Sequence, residues 1–301
     1  MAKGHRLPLT GGKKMLPRRE DLERLPLSFF NRRGRGEAGN AGAGPIPITY
    51  YWVSDGDVDW SNPANWSTVS GGPGGAGVPT AGYDVVIDGG GSAVCTLTEA
   101  SVCKEFSASA GGFSDGGFGL SCTDFSITST TAMSLSGDHT ISGDITLGAG
   151  TNVTWTGASS ITTTGTPTIT NSATNLPHMI HQDDASYVTS TTVARMQILN
   201  NSTITFTGGI TFTVTAYTDT DWDGGTVTGA ATWDLANPAS MTVRDMTAQN
   251  SNATNEIDAT DNCTDNGGNT NWTFVAAAVW KFNEATDKWN EANVKWNEAG
   301  A

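Results

Sequence analysis

Apolar side chains in the middle of the chain return at every second position, in short runs cut by Gly, Asn or Asp. The runs include Phe125 and Ile127; Ile141, Ile145 and Leu147; Val153 and Trp155; Ile204 and Phe206; Ile210, Phe212 and Val214; and Met241, Val243 and Met246. Alternation of period two places one side of each run inward and the other outward, which is a strand with one buried face. Many short strands separated by turn residues predict a mainly β body over residues 106–274. A parallel β-helix or solenoid is the favoured architecture and a jelly-roll-like sandwich is the alternative, because both are built from the same alternation.

The pattern changes at three places. Residues 48–105 read as a separate Trp/Gly-rich β unit. Strands are expected at Ile48–Val53 and Tyr83–Ile87, and Trp52, Trp60 and Trp66 supply buried area. Residues 1–47 hold Gly/Ala and Pro stretches and one short helical stretch from Arg19 to Phe30, carried by Leu22, Leu25 and Phe29. Such a segment cannot bury a core of its own and reads as an extended arm. Residues 275–301 contain three copies of a seven-residue unit beginning at Lys281, Lys288 and Lys295. The rings of Phe282, Trp289 and Trp296 share one position of the unit, with Ala285, Ala292 and Ala299 three residues later. That spacing fits a short coiled coil or an extended strand packed on another subunit, and it makes the three rings the expected oligomer contact.

Composition strengthens the β reading. The chain of 301 residues carries 44 Thr and 37 Gly, with only 15% charged residues. Thr is stiff at χ1 and suits strands, while Gly serves turns. Charge is divided along the chain. Residues 1–40 hold ten basic and four acidic side chains, a net of +6; the remainder holds six basic and 26 acidic, a net of −20. The acidic body repels nucleic acid, and a basic arm including Arg18, Arg19, Arg32 and Arg33 is the natural docking element. No apolar run approaches the ~20 residues of a membrane helix, and the N-terminus lacks the apolar stretch of a secretory signal. Cys95, Cys103, Cys122 and Cys263 form no CxxC pair and are expected as reduced, buried small side chains.

Three clusters are candidates for chemistry. Asp219, Asp221 and Asp223, followed by Gly224, match the first half of a calcium loop, although position twelve is Ala230 rather than Glu. Calcium is therefore the one candidate cofactor. Asp55, Asp57 and Asp59 stand at alternate positions, as turn carboxylates or as a second cation site. His178 and His181, with Asp183 and Asp184 behind them, fall in a stretch from Leu176 to Ser190 that breaks the strand pattern and reads as a protruding loop. No Walker or HExxH motif is present, and cations are scarce in the body, so a non-enzymatic role is expected.

Several stretches carry a resemblance. Tyr51-Trp-Val-Ser-Asp-Gly, Asp59-Trp-Ser-Asn-Pro-Ala-Asn-Trp-Ser and Tyr83-Asp-Val-Val-Ile-Asp resemble a module of tailed-bacteriophage virion and bacterial surface proteins. Met241–Ala253 and Asn266–Phe274 are similar to closing rungs of β-solenoid proteins, and the Trp-Asn-Glu-Ala tail to repeats near the ends of phage structural proteins. The resemblance implies a virion structural protein assembled in the host cytoplasm, of the capsid decoration, cement or head-fibre type. It implies docking on the major capsid or other virion proteins through Arg18, Arg19, Leu22, Leu25, Phe29, Phe30, Arg32 and Arg33, and a homo-oligomer, expected as a trimer. The alternative is a tail-fibre or tailspike-type receptor protein that binds or cleaves host surface glycan, with the stretch 176–190 lining a groove.

Overall fold

The computed structural model describes residues 48–172, 175–218 and 221–275. The basic arm with its docking residues, the rings of Phe282, Trp289 and Trp296, and Asp219 lie outside them. Among the described residues there is no α-helix, only a 3-10 turn at Pro63–Asn65, and the strands wind into a β-solenoid of about ten turns. Pairing between successive turns is parallel and in register, which decides for the solenoid over the sandwich.

One wall shows why this sequence stacks. Val85, Phe106, Phe125, Ile145, Ile169, Tyr187 and Phe206 sit opposite one another in consecutive rungs. From Phe106 onward the partners stand 18 to 24 residues apart in the chain. All are buried, so each rung covers the apolar residue of the one below. Rings face rings where the column is aromatic: Phe106 and Phe125 stack at 5.3 Å, Tyr187 and Phe206 at 5.5 Å. Neighbouring residues point outward, and the columns Thr168–Ser186–Thr205–Thr228 and Thr203–Thr226–Thr247–Thr264 show where the Thr content goes.

A second wall is formed by Leu120–Cys122, Asp138–Ile141, Ser160–Thr163, Leu176–His181 and Thr191–Ile198, and it continues through the later turns. A third, shorter wall is a separate sheet of four strands, Cys95–Thr96, Phe113–Ser114, Met133–Leu135 and Val153–Trp155.

The Trp/Gly-rich segment is not a unit apart from the body. Its strand Asp84–Asp88 pairs in parallel with Glu105–Ala110, so residues 48–105 supply the first rungs of the same solenoid. Its N-terminal end is closed by strand Trp66–Ser67, which pairs antiparallel with Thr49–Trp52. Trp52, Trp60 and Trp66 are fully buried there and pack edge to face. The indole N–H of Trp66 donates to the Trp60 carbonyl at 2.7 Å, and that of Trp52 to the Ala93 carbonyl at 2.8 Å. A plug of this kind covers the end rung, which would otherwise expose core.

The stretch Leu176–Ser190 is not a loop. It contains strands Leu176–His181 and Ala185–Tyr187, both paired in register with neighbouring rungs. His178 faces outward, whereas His181 is fully buried between Thr163 and Tyr187, with its ring nitrogens 2.9 Å from each hydroxyl. Residues three apart on a strand point to opposite faces, so the two imidazoles cannot share a metal ion. The loop reading failed because polar His181 occupies an inward position and apolar Ile180 an outward one.

Candidate functional site

Among the described residues the short wall ends at Val153–Trp155, which has a sheet partner there on one side only, Met133–Leu135. The next turn passes from Thr168–Asn171 to Leu176–His181 by a shorter path, with no intervening strand among the described residues. The change of path leaves a step in the surface, and the step is a cleft of about 560 Å³. Trp155 and Ser159 border it from one turn, Asn175, Pro177 and His178 from the next, and Arg195 from the one after.

Each main side chain of the cleft is braced from behind. Trp155 meets the edge of the His139 ring at 5.8 Å, the planes inclined by 73°. His139 is 1% exposed. Its Nδ1 accepts from the Leu120 N–H at 3.2 Å, so the proton sits on Nε2, which donates to Asp115 Oδ2 at 3.2 Å. Asp115 also accepts from the backbone N–H groups of Gly117, Ser136 and Gly137. Although burial opposes its charge, the His139 hydrogen bond and these three donors hold its carboxyl at about 2. Gly137 fits this turn because it has no side chain: a Cβ there would lie 2.1 Å from the Phe118 carbonyl oxygen.

Arg195 is fixed by Asp221, whose side chain is fully buried. Its Nε donates to both carboxylate oxygens at 2.8 and 2.7 Å, and its Nη2 donates to Asp221 and to the Thr218 hydroxyl. The Asp221 hydrogen bond, and secondarily its charge, raises the Arg195 pKa further. Asp221 also takes the Thr218 N–H at 2.8 Å. The acidic triplet expected to hold calcium is thus used otherwise in its described part. Asp221 anchors a turn onto Arg195, and Asp223 stands exposed on strand Asp223–Gly229, in register with Arg244. Among the described residues no three metal-ligating side chains converge. The triplet Asp55, Asp57 and Asp59 is likewise turn chemistry: the three accept from Ser92, from Asp59 N–H with Asn62, and from Ser61 with Thr98.

Two of the lining residues each bury a polar atom without a hydrogen-bond partner among the described residues, Trp155 Nε1 and His178 Nε2, and neither atom is reached by solvent. Burial, and then the Arg195 charge, lowers the His178 pKa, which keeps its imidazole neutral at pH 7. Asp138, Ser160, His178 and Arg195 follow one another in register up the second wall. The bonding order is not that of a nucleophile and its base. Ser160 Oγ donates to Asp138 Oδ1 at 2.7 Å, and His178 Nε2 receives nothing from it.

No family model matches the chain, no curated protein matches its sequence and no solved structure matches its fold. The cleft therefore has to be read from its own residues. Sequence reasoning placed His178 near a groove but missed Trp155, Asn175 and Arg195, because the step that gathers them is made by three different turns. One signal was present: Arg195 is the only Lys or Arg between Lys104 and Arg244, and an isolated cation in an acidic body marks a specific partner.

Proposed function

We propose that the chain is a structural, non-enzymatic rod of an assembled particle, of the phage virion class that its residues resemble. The arm of residues 1–47 would dock and the solenoid would project as a decoration, cement or fibre element. The observation that supports this reading is the asymmetry of the solenoid's ends. The N-terminal end is plugged by three tryptophans, while the last described rung, Thr270–Phe274, pairs among the described residues with Ser251–Asp261 alone and leaves Trp272 and Phe274 half-buried and Val275 exposed. Partly exposed apolar side chains on that rung favour association of several copies there.

Density-gradient banding of particles from producing cells tests the role. The full chain is expected in the particle band and a form lacking residues 1–47 in the soluble fractions. Absence of the full chain from every particle band overturns the reading. Light scattering on the Trp289→Ala/Trp296→Ala variant tests the oligomer, which should dissociate at higher protein concentration than the parent. A second reading, a receptor protein that binds surface glycan, is favoured by one specific observation, the cleft of about 560 Å³ bordered by Trp155, Pro177 and His178.

A further inference from the structure

We propose that Cys103 and Cys122 form an oxidisable dithiol, which closes to a disulfide in an oxidising medium and fastens strand Ser101–Val102 to the rung that follows it. The inference goes beyond the particle and receptor readings and depends on neither.

The two residues stand opposite each other on adjacent parallel strands. Ser101 and Val102 pair in register with Leu120 and Ser121, so the next residues, Cys103 and Cys122, come side by side. Backbone bonds hold that register: the Cys103 N–H donates to the Ser121 carbonyl at 3.1 Å, and the Thr123 N–H to the Lys104 carbonyl at 2.7 Å. Neighbouring strands lie about 4.8 Å apart, inside the ~4.4–6.8 Å between Cα atoms that a disulfide spans. Both side chains are buried and begin a core column that runs on through Ile141, Thr163 and His181. The Cys122 S–H donates to the Cys103 sulfur, so the two sulfurs already touch. The other two cysteines lack such a neighbour. Cys95 stands opposite Phe113, and the Cys263 sulfur meets the backbone at the Met246 N–H and at the Val243 and Asp261 carbonyls. All four are free thiols in the structure.

Access comes from the strand itself. Ser101–Val102 is two residues long, it is paired with Leu120–Cys122, and Val102 is exposed. So short a strand opens locally at little cost, and it carries Cys103 with it while the later rungs stay closed. Cys122 keeps its proton, because the hydrogen bond to Cys103, and then burial, raises its pKa far above the usual range. Cys103 is therefore the first nucleophile.

The oxidant is a small-molecule disulfide such as oxidised glutathione. The Cys103 thiolate attacks one of its sulfurs, the S–S bond of the reagent breaks, and one glutathione leaves as a thiolate that takes a proton. Cys122, released from its hydrogen bond, then loses its proton and attacks the Cys103 sulfur of the mixed disulfide. The second glutathione leaves as its thiol. In sum two protein thiols lose two electrons and two protons, and one glutathione disulfide becomes two thiols. The new bond closes a loop with 18 residues between its cysteines, and a cross-link of that length restricts the unfolded chain. A reducing cell interior keeps the dithiol open, and an oxidising exterior closes it.

Incubation of the full chain with oxidised glutathione, then denaturing alkylation, digestion and mass spectrometry, is the test. Trypsin cuts after Lys104 and a Glu-specific protease after Glu99 and Glu105, which places Cys95, Cys103 and Cys122 on separate peptides. The Cys103 and Cys122 peptides are expected to be joined, and dithiothreitol to part them. The oxidised chain should melt about 5 °C or more above the reduced one. Cys122→Ala keeps a small apolar side chain, and it should lose both the cross-link and the glutathione-dependent shift. Should that variant fail to fold, peptide mapping of the parent decides alone. A Cys103–Cys122 pair that stays reduced, linkage of either residue to Cys95 or Cys263 instead, or an oxidised chain that melts no higher than the reduced one overturns the proposal. The cross-link is read on the isolated chain, so its failure is distinct from failure of the particle banding.

Discussion

His181 should make the solenoid acid-labile well above the pH at which carboxylates protonate. The imidazole is fully buried between the Thr163 and Tyr187 hydroxyls, and burial lowers its pKa from 6.5 to about 3. In the unfolded chain it titrates near 6.5. Below that pH the unfolded state binds a proton that the folded state refuses, so stability falls as pH falls. The loss begins near pH 6.5 and proceeds at about 1.4 kcal/mol per pH unit until the folded group protonates near pH 3. At pH 5 it amounts to about 2 kcal/mol, a large part of an ordinary domain's stability of ~5–15 kcal/mol. His178, whose pKa is also lowered by burial, adds in the same direction. Asp115 does not contribute in this window: its carboxyl is held at about 2, so its own effect appears only below the ordinary carboxylate value near 4. Urea unfolding of the parent and of His181→Asn from pH 7.5 to 4.5 measures the effect. The variant will be less stable at pH 7.5, but its stability should fall less steeply with acid. Equal pH slopes in the two proteins, or a parent curve flat down to pH 4.5, would refute the reasoning.

Three further outcomes follow from the packing. Asp115→Ala removes the acceptor of three backbone N–H groups and of His139 and should cost on the order of 3 kcal/mol in urea unfolding; Gly137→Ala forces the Phe118 carbonyl aside and should destabilise as well. Arg195→Met leaves Asp221 buried without its counterion, a loss of about 3 kcal/mol, and Asp221→Leu added to it should restore part of that loss in a double-mutant cycle. In native protein a thiol reagent followed by mass spectrometry should modify Cys263, which is half-buried, before Cys95, Cys103 and Cys122. The latter three are buried, and the Cys95 and Cys122 thiols are raised far above their usual range, Cys95 by burial and Cys122 first by its hydrogen bond with Cys103.

The amino-acid sequence by itself determined the β class and most of the inward residues. Alternation is a local property, and Phe125, Ile127, Ile145, Leu147, Ile204 and Phe206 all face the core as their spacing requires. It also determined that Trp52, Trp60 and Trp66 would be buried, since rings of that size in an aliphatic-poor segment have nowhere else to go. Only the tertiary structure decided between solenoid and sandwich. Both satisfy the same period of two, and the choice lies in pairing between residues 18 to 24 positions apart, which no short window contains. The same holds for His181, whose polar ring is tolerated inside because Thr163 and Tyr187, from different strands, supply its two hydrogen bonds. Asp221 looked like part of a cation loop because its spacing is local, while its true counterion, Arg195, lies 26 residues earlier. The cleft is the furthest from the sequence. Trp155, His178 and Arg195 become neighbours only because the short wall stops at Val153–Trp155 and the following turn takes a shorter path, and that is a consequence of how rungs stack rather than of any motif.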